Sequence, residues 1–313
     1  MKAYAIDEFG KPGSVREVPD PEPGEGEVRV NVGAASVNPF DAAVVNGYVK
    51  DYMEHRFPLI PSGDLAGTVD AVGVGVTDLS VGDRVFGTQG KPYVGEGTLA
   101  ENAVATAGTL ALTPESLSDR EAAALGLAAV SALMAAEAAE VSPGDVVVVV
   151  GASGGIGSYA VQIAAVRGAH VVGVTSSENV DYVRGLGAAE VVDRKTGDVL
   201  DALRNAHPEG VAAIIDTSSD KDTLTRLAEA VRDGGHVVSM KGAAAEELAE
   251  RGLIPVNLQT QTTAERLQEL AQMVSDGKLR PPAIEDFTLE NAGDALAKIG
   301  GSHGAGKLVV VTR

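Results

Sequence analysis

The sequence predicts an α/β protein in which a β-rich segment of barrel or sandwich type joins a doubly wound parallel sheet. Three observations lead there. From Val146 onward, short apolar runs alternate with segments of helical periodicity, the pattern of strands covered by helices on both faces. The first of those runs, Val146 to Val150, passes directly into GASGGIG (151–157), with four glycines in seven residues where a strand meets a helix. Residues 1 to about 118 instead carry short alternating runs between Pro, Gly and Asp turns.

In chain order, the β-rich part contributes EVRVNVGAASV (27–37), GTVDAVG (67–73) and DRVFGT (83–88), after the solvated loop PDPEPGEGE (19–27). The texture changes at Ser118, an expected N-cap with Glu121 three residues on. An Ala-rich helix, SDREAAALGLAAVSALMAAEAAE (118–140), is expected to follow. Then come strand 146–150, helix 156–167, strand HVVGVT (170–175), helix 178–186, strand EVVD (190–193) and helix 197–206. Strand AAIIDTS (212–218), helix 221–232 and strand HVVSM (236–240) complete the alternation. The C-terminal run KLVVVT (307–312) is a strand free to rejoin the first part.

Composition narrows the function. With 25 basic and 44 acidic residues the formal charge is −19, which argues against nucleic acid or an anionic membrane as partner. No apolar run is long enough to span a bilayer and the start carries no signal pattern, so a cytoplasmic protein is expected. There is no cysteine, which excludes disulfides, a thiolate nucleophile and a cysteine-ligated zinc. The five histidines (His55, His170, His207, His236 and His303) form no H-x-x-x-H pair, so no metal site is expected.

The glycine turn is a candidate dinucleotide site: Ser153, Gly154, Gly155, Ile156 and Gly157 let a pyrophosphate approach the backbone at a helix N-terminus. Its competitor is a turn that serves only close helix–strand packing. At the end of the next strand, Thr175 stands where NAD-binding proteins usually have an acid, followed by Ser176 and Ser177. Those hydroxyls with Arg194 suit a 2′-phosphate, so NADPH is expected; Glu178 keeps NAD open. Thr217, in Asp216-Thr217-Ser218, and Ser239 end the next two strands at the edge where ligands bind, and simple loop chemistry is the competing reading.

The chain resembles the medium-chain dehydrogenase/reductase superfamily, in its zinc-free quinone oxidoreductase (zeta-crystallin-like) branch. The resemblance rests on VNPFD (37–41), FPLIPSGDLAGTVDAVG (57–73), VGDRVFG (81–87), GTLAE (97–101), GASGGIG (151–157), SSENVDYVRGLGAAEVVD (176–193) and the ending GKLVV. It implies a GroES-like barrel catalytic domain split between residues 1–118 and 281–313, with a Rossmann domain at 119–280. Zinc-dependent relatives have an early catalytic cysteine and a G-H-E signature; here Asn38 and Ser62-Gly63-Asp64 replace them, so no zinc is expected. The branch's G-L-T-A reads Gly126-Leu127-Ala128-Ala129 here, which loses a hydroxyl near the nicotinamide. Arg194 replaces a tyrosine common after the third Rossmann strand.

Without a Lewis acid, the expected chemistry is hydride transfer from NADPH to a quinone or to the β-carbon of an α,β-unsaturated carbonyl. A tailoring enoyl or ketone reductase and a non-catalytic NADPH-binding sensor are the alternatives. Family resemblance brings Asn38 and Asp41 to the nicotinamide: Asn38 either bonds substrate or orders an Asn-Pro turn, and Asp41 is a cap or a site residue. Tyr48 and Tyr52 are candidate proton donors, with ordinary packing as the competing reading, and no Tyr-x-x-x-Lys pair is present. The family also implies a homodimer through the edge segment IPVNLQ (254–259).

Overall fold

Five β-branched residues in a row cannot lie in an amphipathic strand, and Val146–Val150 accordingly runs through the middle of a sheet, buried on both faces. In the computed structural model, which describes residues 1–301 and 304–313, this strand pairs in parallel with His170–Thr175 on one side and Val211–Asp216 on the other. Glu190–Asp193 extends the first side; Val231–Ser239 and Ile254–Asn257 extend the second, giving six parallel strands. Chain order therefore reverses on either side of Val146–Val150, and the glycine turn leaves its C-terminal end at that switch point. This unit comprises Ala128–Gln261. Val148, Val172, Ile214 and Val237 form its core with Leu203 and Leu224 from the covering helices.

The other unit comprises Met1–Leu127 and Thr262–Arg313. Its frame is a seven-stranded sheet built on the long strand Glu27–Val37, where Val28, Val30 and Val32 point to the core in alternation. The C-terminal strand Lys307–Val311 does rejoin this unit: it pairs antiparallel with Glu27–Val37, Leu308 opposite Val37. Against the expected limits at 118 and 280, the units divide at 127 and 261. The helix Ala264–Ser275, read as part of the parallel-sheet domain, packs on the short strand Leu110–Leu112 of the barrel-like unit instead.

Two helices differ from the sequence reading. The run 118–140 is not one helix but two, Asp119–Ala123 and Gly126–Ala138. Ser118 and Glu121 do form the capping box. The break seats a buried carboxylate: Leu127 N–H donates to Asp64 Oδ1 (2.9 Å), and a Cβ at residue 126 would lie 2.6 Å from the same oxygen. The expected helix 221–232 stops as Lys221–Leu227 plus a turn at Ala228–Ala230. Val231 already pairs with Val211 as the start of the next strand, so tertiary pairing overrides a helical periodicity. His303 lies outside the described residues. No helix among the described residues is long and apolar enough to cross a membrane.

Candidate functional site

The turn after Val146–Val150 is built by close approach. A Cβ on Gly157 would sit 2.1 Å from the carbonyl oxygen of Gly151, so only glycine lets the helix Gly155–Val166 start this near the strand end. Gly154 differs. It is the helix N-cap in an ordinary extended conformation (φ −74°, ψ 175°), and a Cβ there would meet nothing nearer than Gly151 O at 3.3 Å. Packing inside the protein requires glycine at 157, whereas at 154 a Cβ would crowd a single backbone oxygen by a few tenths of an ångström. As the first residues of the helix, Gly155, Ile156 and Gly157 have N–H groups with no intrahelical acceptor, a cradle for an anion. The arrangement fits a dinucleotide's pyrophosphate.

Ser153 stands at the rim of this cradle, its Oγ accepting from Thr175 Oγ1 (2.9 Å) and Asn179 Nδ2 (3.4 Å). Thr175 and Ser176 are buried and Ser177 is exposed, so of the three expected contacts only the last faces solvent. Ser177 Oγ donates to Asp193 Oδ2 (2.5 Å), a carboxylate that sequence reasoning missed. Parallel register puts Asp193 opposite Thr175, which is the only signal that could have found it. Arg194 follows, its backbone N–H held by Thr175 O (2.9 Å), while its guanidinium is exposed and makes no hydrogen bond or ion pair among the described residues. Lys195, also missed, donates to both carboxylate oxygens of Glu178 (3.0 and 2.9 Å), and that bond leads the effects that pull Glu178 down to about 2. Glu178 is thus occupied by Lys195, whereas Arg194 is free.

On the next strands, Thr217 Oγ1 donates to Val150 O (2.8 Å) and tightens the strand ends. Ser239 is fully buried; its Oγ accepts from the backbone of Lys241 and Ala243 (both 3.1 Å) and donates to Asp216 Oδ2 (3.3 Å). Both hydroxyls are engaged within the protein, as loop chemistry requires.

In the other unit the residues singled out near Asn38 meet in a buried polar network. Asp64 Oδ2 accepts from Ser36 Oγ (2.7 Å) and Asn38 Nδ2 (2.9 Å), and lies 3.6 Å from the ammonium of Lys307. Lys307 Nζ donates to Asn38 Oδ1 (2.7 Å), so both ends of the Asn38 carboxamide are bonded inside the unit. A bond from Asn38 to a substrate has to use the carboxamide's second N–H or second lone pair, or displace one of these partners. Asp41 caps the helix Pro39–Val45 by accepting from Asn38 N–H (2.7 Å); burial is the main cause that pushes its carboxyl up to about 7. Burial likewise lowers Lys307, opposed by Asp64 and Asp41. Lys307, missed by sequence reasoning, is separated from Asn38 by 269 residues. Tyr48 and Tyr52 follow the helix as residues 76% and 86% exposed, so neither is packed in the core of its unit.

Comparison with known proteins decides the family. Residues 24–115 match the alcohol dehydrogenase GroES-like domain, and residues 186–310 match the family described as zinc-binding dehydrogenase. A chloroplast envelope quinone oxidoreductase homolog of Arabidopsis thaliana is 31% identical over 94% of this chain and 92% of its own. The chain belongs to the medium-chain dehydrogenase/reductase superfamily. The family's solved structures include the quinone oxidoreductase from Coxiella burnetii, 30% identical with a TM-score of 0.85, matched over 100% of this chain and 99% of that one. An NADPH-dependent alkenal/one oxidoreductase of A. thaliana is 29% identical over 99% of this chain and 79% of its own length.

Within this family, quinone oxidoreductase-like members and zinc enzymes share one fold, so the ligand set must separate them. At the positions of the zinc signature this chain offers a carboxamide (Asn38), no side chain (Gly63) and a carboxylate (Asp64) already facing four partners. The cation beside that carboxylate is the ammonium of Lys307. These residues do not fit a zinc ion.

Proposed function

We propose that the chain is a zinc-independent, NADPH-dependent reductase that transfers hydride to a quinone or to the β-carbon of an α,β-unsaturated carbonyl. Gly154 carries the reading: a Cβ there would crowd only one backbone oxygen, at 3.3 Å, and it lies at an anion cradle on the switch point of a parallel sheet. NADPH supplies the hydride when bound. The chain's own part is to hold and orient it. The N–H groups of Gly155, Ile156 and Gly157, with the Ser153 hydroxyl, receive the pyrophosphate, and the exposed guanidinium of Arg194, which follows the Asp193 that Ser177 bonds, receives the 2′-phosphate. The lysine-bound Asp64 network, unsuited to zinc, favours acceptors that need no Lewis acid over alcohol oxidation. Tyr48 and Tyr52, exposed beyond the capped helix, are the proposed proton donors together with water.

The test is oxidation of NADPH, with NADH in parallel, against a panel of quinones and enones. Turnover with NADPH and little with NADH supports the reading. Tight NADPH binding without turnover on any acceptor replaces it with the sensor, and zinc-dependent alcohol oxidation overturns it.

We also propose a homodimer through Ile254–Asn257. This strand is the outer edge of the six-stranded sheet, and Ile254 is 44% exposed there, an edge that pairing with a second copy would protect. Sedimentation at about twice the chain mass of 31.8 kDa, reduced to the chain mass by Ile254→Lys, is expected. A monomeric wild type refutes it.

A further inference from the structure

We propose that His170, Glu190 and His207 form a site for one divalent transition-metal ion of the zinc class, at the opposite end of the parallel sheet from the glycine turn. His170 is the first residue of the strand His170–Thr175, Glu190 the first of Glu190–Asp193, and His207 directly follows the helix Val199–Ala206. Sequence spacing hides the site because its ligands come from three separate elements. The turn lies at the other ends of these strands, roughly 16 Å away along His170–Thr175 at the rise of a strand.

The three side chains converge on one point. His170 Nε2 lies 2.6 Å from Glu190 Oε1, and His207 Nε2 lies 3.5 Å from Glu190 Oε2. One ligand atom from each residue falls within 4.8 Å of the other two. Bonds of about 2.0–2.2 Å to a tetrahedral ion place ligand atoms about 3.3 Å apart, so small rotamer adjustments suffice. The imidazoles meet edge to face, ring centroids 5.9 Å apart, which brings both Nε2 atoms to the same carboxylate. His207 supplies the second observation: its Nε2 is buried and has no hydrogen-bond partner among the described residues. A buried nitrogen left in this way is costly in a folded protein, and a metal bond is one way to satisfy it.

The donor set also selects the ion. Two imidazoles and one carboxylate suit zinc, nickel or copper, whereas calcium and magnesium favour all-oxygen sites. His170 and Glu190 have side chains 42% and 39% exposed, so an ion has a path in and water can complete its coordination. Binding would tie the starts of two adjacent strands to a helix end. It would stabilise the fold by mass action and leave the hydride chemistry untouched.

The test uses the full chain stripped with EDTA and titrated with zinc chloride by calorimetry, with thermal melts alongside. One zinc per chain and a rise in Tm are expected. His170→Ala and His207→Ala should each weaken zinc binding roughly tenfold or more and abolish the rise, with unchanged circular dichroism. Cobalt(II) substitution of the wild type should give the visible bands of a tetrahedral site, a readout that does not depend on any variant folding. No stoichiometric zinc binding, or binding undiminished in both variants, overturns the proposal. In the second case the zinc sits elsewhere and bears instead on the zinc-independent reading.

Discussion

Replacing Gly154 by alanine separates a glycine kept for a ligand from a glycine kept for packing. The added methyl would meet Gly151 O at 3.3 Å and nothing closer, and the backbone there is already in a region open to alanine. The slight crowding is offset by the reduced freedom of the unfolded chain, about 0.4–1 kcal/mol in favour of alanine at a compatible site. Stability should therefore change by less than ~1 kcal/mol. A pyrophosphate seated on the helix N-terminus would be pushed away from the N–H groups, losing one charge-assisted hydrogen bond of about 1.5–3 kcal/mol. That corresponds to roughly a 10- to 150-fold weaker Kd for NADPH. Gly157→Ala is the contrasting variant: its Cβ would lie 2.1 Å from Gly151 O, so it should lose about 1–3 kcal/mol of stability as well as binding. Tm from thermal melts and Kd from NADPH fluorescence titration are the measurements. If Gly154→Ala binds NADPH as tightly as the wild type, Gly154 is not kept for the pyrophosphate, and if neither protein binds NADPH the dinucleotide reading fails.

Arg194→Ala should raise the KM for NADPH about tenfold while leaving that for NADH within about twofold, since under the proposed reading only a 2′-phosphate would use the guanidinium; equal changes for both cofactors would remove Arg194 from that role. Lys307→Met leaves the buried Asp64 carboxylate without its countercharge and should cost about 3–5 kcal/mol in urea unfolding, and a loss under 1 kcal/mol would show that the network tolerates the charge alone. Asp41, held near 7 in the fold against 3.8 for its ordinary value, keeps a proton between about pH 4 and 7 that the unfolded chain has released. Its contribution makes stability fall as pH rises through that window, by at most ~1.4 kcal/mol per pH unit, and Asp41→Asn should remove that slope. Urea midpoints at pH 5 and pH 7 check this, and an unchanged pH dependence in the variant would refute it.

The parallel sheet was legible because its strands are buried on both faces and so carry their signal within a few residues. Val146–Val150, His170–Thr175 and Glu190–Asp193 have the bounds that their apolar runs predict. The expected edge segment 254–259 is a strand at Ile254–Asn257. What local pattern could not supply was competition from distant partners. The helix expected over 118–140 yields to Asp64, sixty-three residues before the Leu127 amide that it binds. The helix expected over 221–232 yields to a pairing between Val231 and Val211. In both places the local preference is for helix, and a single long-range contact outweighs it.

The candidate sites divide along the same line. The glycine turn could be read because strand, turn and helix are contiguous, so that chemistry and conformation share one window of sequence. The network around Asn38 could not, because its central cation arrives from the last strand of the chain. That placement also accounts for the tail rejoining the first unit: Lys307 enters the sheet where Leu308 pairs with Val37, so the residue that closes the sheet also neutralises Asp64. A lysine there needs a carboxylate nearby, and a carboxylate as buried as Asp64 needs a cation. The two residues therefore have to be understood together. In this chain the fold delivers the cation that Asp64 needs through its final strand.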